Sequence, residues 1–107
     1  MKGRMLAFKA IGAATILLTA SGYVAADSYV LLGNGVCRPA GQNVGKVFSY
    51  RDYSWERCRE VCSSRSCSGI EFSVLPDGTV CEHHYAPVRM QTSDAKDRVV
   101  SCWARQN

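Results

Sequence analysis

The chain has no uninterrupted apolar run long enough to cross a bilayer. A spanning helix needs roughly 20 predominantly apolar residues. The best stretch, between Lys9 and Asp27, offers seventeen and is diluted by Gly12, Thr19, Ser21 and Gly22. Histidine is scarce: His83 and His84 are the only two, and no nucleophile, base and orienting group gather around them in sequence. Acid–base and nucleophilic catalysis need such a constellation, so no enzyme, catalytic residue or cofactor is expected. Positive charge is scarce where it would count. Three of the 13 basic residues and none of the 9 acidic ones precede Asp27, which leaves the rest at +1. Nucleic acid and charged membranes are held by concentrated cations, so neither is an expected partner. There is also no repeat, no low-complexity tract and no lipid-attachment cysteine.

What is present begins with an export signal. Lys2, Arg4 and Lys9 form a positive start, residues 11–18 (IGAATILL) a short apolar stretch, and Val24-Ala25-Ala26 a small-residue cleavage site before Asp27. A cut after Gly22 is the next choice. These features predict a removable signal over 1–26 and a secreted protein, extracellular or periplasmic if the source is bacterial. Residues 27–107 then form one domain, with its core over about 35–104. A chain this short buries little of its surface and needs cross-links to make up the deficit.

Six cysteines supply them: Cys37, Cys58, Cys62, Cys67, Cys81 and Cys102. An even set in a short exported chain reads as a disulfide framework, with no thiol left over for chemistry. Fifteen pairings are open to six cysteines, and sequence alone does not choose among them. Cys58 and Cys62 leave one helical face, so each more plausibly bridges outward than to the other. Cys62 is separated from Cys67 by only four residues, Cys58 could then reach Cys81 on the returning strand, and Cys37 and Cys102 remain.

The element pattern is short. Residues 28–32 (SYVLL) read as a strand, Asn34-Gly35 as a turn, and residues 46–50 as a second extended segment. A helix is predicted over 55–63, with Ser54 or Asp52 as its N-cap and Glu56 in the first turn. Trp55, Cys58 and Cys62 share its inner face; Arg57, Arg59 and Glu60 lie toward the other side. Residues 69–75 alternate, with Ile70, Phe72 and Val74 facing the helix and Glu71 and Ser73 facing out. Pro76-Asp77-Gly78 turns the chain into a partner strand over 79–85. There His83 and Tyr85 share the face of Cys81, while Glu82 and His84 lie opposite. Residues 86–96 read as irregular, and 98–103 as the last strand.

Cys58-x3-Cys62-x4-Cys67, then Gly69-Ile70-Glu71-Phe72 and Cys81, inside an outer pair at Cys37 and Cys102, resembles the PAN/Apple module. The resemblance covers about residues 35–104. It implies an α+β fold, a small disulfide-rich domain with a curved antiparallel sheet around one helix. It also implies the nested pairs Cys37–Cys102, Cys58–Cys81 and Cys62–Cys67. Such modules bind carbohydrates or proteins and have no catalytic residues to carry over. An extracellular glycan or protein is therefore the expected partner. The oligomeric state is not set by the sequence, and a monomer is the expectation.

Recognition surfaces favour aromatic rings and arginine anchors. Tyr50, Arg51 and Tyr53 before the helix form one candidate edge. Glu82, His84 and Arg89 form another, and Trp103 is a partly exposed candidate. The ordinary alternative for each is a core-rim or solvated residue. No metal is expected: Cys58, Cys62, His83 and His84 are the residue types of a zinc site, but adjacent histidines on a strand face opposite ways. Two other roles compete with recognition: an effector or protease inhibitor that inserts a protruding loop over 86–96, and a structural envelope or matrix component.

Overall fold

The computed structural model describes residues 28–106; the export signal expected over 1–26 lies outside the described residues. Ser54 sets the first boundary of the helix. Its backbone is extended and its hydroxyl accepts a hydrogen bond from the Arg57 N–H at 3.1 Å, satisfying one of the donors a helix start leaves open. The helix, α1, runs Trp55–Arg65 and is two residues longer than its sequence pattern predicts. Glu56 in the first turn and Arg65 in the last match the helix dipole. Ser66 ends it in the left-handed conformation, φ 59°, and Cys67 N–H then bonds the Cys62 carbonyl at 2.9 Å.

Only Cys58 and Cys62 of α1 are fully buried. A helix this polar has too narrow an apolar stripe to dock by burial alone. Covalent bonds hold it instead: Cys58 bridges to Cys81 in the sheet, and Cys62 to Cys67 just past the helix end.

Seven strands complete the fold: β1 (Ser28–Gly33), β2 (Gly35–Pro39), β3 (Val47–Arg51), β4 (Gly69–Leu75), β5 (Gly78–His84), β6 (Val88–Thr92) and β7 (Val99–Gln106). Five of them make an antiparallel sheet in the order β1-β7-β4-β5-β3, and β2 and β6 pair as a separate ribbon. Ser28 pairs with Gln106, so the first and last described residues lie side by side. β4 and β5 form the hairpin expected from Pro76-Asp77-Gly78. Gly78 sits at φ 153°, and a Cβ there would fall 2.4 Å from the Asp52 carboxylate, so the position requires glycine.

The sheet is covered on both faces. Ile70, Cys58, Cys62, Cys67 and Cys81 form the core under α1, ringed by the half-buried Tyr29, Tyr50, Tyr53, Trp55, Phe72, Tyr85 and Trp103. The ribbon covers the other face, tied down by Cys37–Cys102 and by the Cys37 N–H, which donates to Glu71 Oε1 at 2.8 Å. The architecture is a small disulfide-rich α+β domain, and its three bridges mark an oxidising environment.

Several local expectations change. Residues 88–92 are not irregular but pair with β2, so 86–96 is no single protruding loop. Ser73, expected to face solvent, is 3 % exposed beneath the ribbon, whereas Val74, expected in the core, is 48 % exposed. The alternation assumed one covered face, and the second layer supplies the other. At the Asn34 bend the positive φ falls on Gly33, not on Asn34 or Gly35. Arg59 is half-buried rather than outward. Its guanidinium carbon lies 5.7 Å over the Trp55 ring, and its Nε is buried without a hydrogen-bond partner among the described residues.

Candidate functional site

β3 carries Phe48 and Tyr50 on the helix side of the sheet, and Asp52 then turns the chain at φ 64°. That turn folds Tyr53 back onto Tyr50. Their rings stack with centroids 4.9 Å apart and planes 9° apart. One helical turn on, the Arg57 guanidinium carbon sits 4.7 Å from the Tyr53 ring centre, a cation–π contact. Two turns further, Arg65 donates to the Tyr50 hydroxyl at 3.2 Å. Phe48 extends the stripe, packing edge-on against Tyr85 at 5.7 Å. Burial holds the Tyr85 hydroxyl above its ordinary range, so it stays a neutral donor.

The result is a surface of three tyrosines, one phenylalanine and two arginines, fixed before any partner arrives. Arg51 lies beside it in an exposed ion pair with Asp77 at 3.6 Å. The structure stacks Tyr50 on Tyr53 and leaves Arg51, the next residue along the strand, on the opposite face. The sequence pattern places Arg57 on the solvent side of the helix and leaves Arg65 beyond its predicted end. Their spacing of eight, on the flank that follows Tyr53, is the signal that places them together.

The other named residues go elsewhere. His84 is 6 % exposed and lies under the ribbon, with Nε2 at 2.8 Å from Glu82 Oε1. It is not part of an open face, because the ribbon that covers it is paired from residues far apart in sequence. That bond holds the Glu82 carboxyl below the usual range. Glu71 is the direct cross-strand partner of Glu82. Burial pushes its carboxyl up, against the pull of the Cys37 N–H. Arg89 is exposed on β6 opposite Arg38. Trp103 packs on Trp55 at 4.6 Å and donates its indole N–H to Ser101 Oγ at 2.8 Å, a place at the rim of the core.

His83 is fully buried beside the Cys58–Cys81 bridge. A carbonyl only accepts, so Nε2 carries the proton donated to Cys58 O at 2.9 Å, and Nδ1 has no partner among the described residues. Burial keeps this imidazole below its ordinary pKa. Two groups have metal-like spacing, Cys58/Cys81/His83 and Cys37/Glu71/His84. Every sulfur in them is spent in a disulfide, and metal ligation needs the thiolate. His83 and His84 lie on opposite faces of the sheet. The four-residue zinc set does not converge.

Among the described residues, shallow hollows occur away from the tyrosine stack. One of about 230 Å³ is lined by Asn34, Arg98 and Val100, another of about 260 Å³ by Ser68, Val88 and Arg105. Both fall below the roughly 300 Å³ at which small-molecule sites begin. No described helix is long and apolar enough to cross a membrane. No protein-family model, curated protein or solved structure matches the chain.

Proposed function

We propose that the chain is a secreted, non-catalytic recognition module of the PAN/Apple type that binds an extracellular protein through Tyr50, Tyr53, Arg57 and Arg65. The observation that carries this reading is the pre-stacked pair Tyr50–Tyr53 with arginine on it. Tyr and Arg are the residues that anchor protein interfaces. Holding them in place in the free molecule lowers the ordering cost of binding. A glycan is the less favoured partner. A sugar stacks on an open ring face, and Tyr53 already carries a ring and a guanidinium.

The test is a screen of the exported, oxidised protein against arrays of secreted proteins and of glycans. A protein partner is expected, with Tyr53→Ala and Arg57→Ala each costing about 2 kcal/mol of affinity, the scale of an interface anchor. Binding to glycans alone, or affinity unchanged in both variants, overturns the reading.

A further inference from the structure

The two outer strands of the sheet differ in how they end it. β1 has no charged residue, and β3 is flanked by Lys46 and Asp52 and ends in Arg51. Along β3 the bonds to β5 fall on alternate residues. Lys46 O accepts from Tyr85 N–H at 2.9 Å and Asp52 N–H donates to Thr79 O at 2.8 Å, in a ladder that pairs Val47 with His84 and Arg51 with Val80. In an antiparallel ladder the residues between those positions point their backbone groups the other way. The N–H and C=O of Val47, Ser49 and Arg51 therefore face outward, and among the described residues nothing pairs with them. Val47 and Phe48 are 43 % and 46 % exposed on this same strand.

We infer that β3 pairs with β3 of a second copy, antiparallel across a two-fold axis at Ser49, joining two sheets into one of ten strands. The sequence is complementary to itself in this register. Val47 meets the second copy's Arg51, Ser49 meets Ser49, and Arg51 meets Val47. These are the three positions whose backbones face outward on both sides. Phe48 meets Tyr50, an aromatic cross-strand pair, and just beyond the paired residues Lys46 of one copy comes near the turn at Asp52 of the other, opposite in charge. Both kinds of contact stabilise antiparallel strands. A two-fold contact of one surface with itself is the commonest way soluble chains associate. A monomer, the expectation from sequence, leaves this edge open as a template for other strands. The pairing sets two tyrosine–arginine surfaces on one continuous sheet, so a partner with two epitopes is held with the gain of linked sites.

Sedimentation of the exported, oxidised protein tests this, with intact mass recorded to define its N-terminus. The apparent mass is expected to rise toward twice the monomer value between micromolar and millimolar concentration. Ser49→Pro removes the central outward N–H from both copies while the neighbouring bonds to β5 stay, and it abolishes the rise. Lys46→Glu sets two acids against each other and weakens association at least several-fold, with less effect at high salt. Circular dichroism and the unfolding midpoint show whether each variant keeps the monomer fold. Because Lys46 is exposed, K46E carries the test if S49P unfolds. A strict monomer overturns the inference. So does a dimer indifferent to both substitutions, or a different protein on this edge while the chain alone stays monomeric. Arg57→Ala removes a contact to Tyr53, outside β3, and leaves sedimentation unchanged, so this pairing and the recognition surface fail separately.

Discussion

On the helix side of the sheet, Trp55, Phe72, Trp103 and Tyr29 pack edge-on and tilted against one another over two disulfides. On the ribbon side, Glu71, Glu82 and His84 meet beneath two short strands held by one. The first face is joined by two bridges and by apolar burial, and neither responds to acid. The second is joined by hydrogen bonds and charge, which depend on protonation. His83 crosses that division, as an imidazole sealed into the apolar side. His83 on one face and Glu71 on the other should therefore answer acid in opposite directions, while Glu82, held low by His84, answers in the direction of His83.

The largest effect breaks the ribbon's attachment. Replacing Cys37 and Cys102 by alanine opens the longest loop, whose ends are 65 positions apart. In the chain-entropy account this costs about 4.3 kcal/mol. The same change at Cys58 and Cys81, separated by 23, forfeits about 3.4 kcal/mol of loop entropy. Urea unfolding checks the first value, and amide exchange should show β2 and β6 losing protection before α1. A loss under about 1 kcal/mol would mean the ribbon holds without its bridge.

A smaller effect separates the faces by pH. Burial lowers the folded pKa of His83 below the ordinary 6.5. The unfolded chain then takes up the proton first, so stability present above that value is lost as pH falls below it. His83→Phe should flatten the fall in unfolding midpoint between pH 7 and 5. An unchanged slope would place the acid-sensitive group elsewhere.

The smallest effect has the other sign. Burial raises the folded pKa of Glu71 above 4.5. Stability is then greatest below that value and is lost as pH rises through the folded pKa. Glu71→Gln keeps an acceptor for Cys37 N–H and removes a charge facing Glu82. It should stabilise the domain by about 0.5–1 kcal/mol at pH 7, the scale of one cross-strand charge pair. The gain should vanish below pH 4.5, as denaturant titration at the two pH values would show.

Much of the helix side was legible because its signals are local. Ser54 caps where its hydroxyl and the following acid say it should, and Trp55, Cys58 and Cys62 recur at helical spacing. The hairpin between β4 and β5 is announced by its turn residues. The ribbon was not legible. Residues 88–92 find their partners at 35–39, about fifty positions earlier, and no turn chemistry marks a pairing at that distance. Its presence is also what buries Ser73 and His84, so one missed pairing misplaced both. The tyrosine stack was half-legible. Tyr50 and Tyr53 stand out by composition, but their contact needs the reversed backbone of Asp52, which a propensity does not reveal.

The pairing of Ser28 with Gln106 governs how the domain bears a load. Tension applied at both ends peels β1 from β7 one rung at a time and then reaches the Cys37–Cys102 bond. There the force passes straight through sulfur. Residues 38–101, the helix and the tyrosine stack among them, lie inside the closed loop and feel no pull. The bridge works as a mechanical bypass, keeping the tyrosine stack in shape while the ends are stretched.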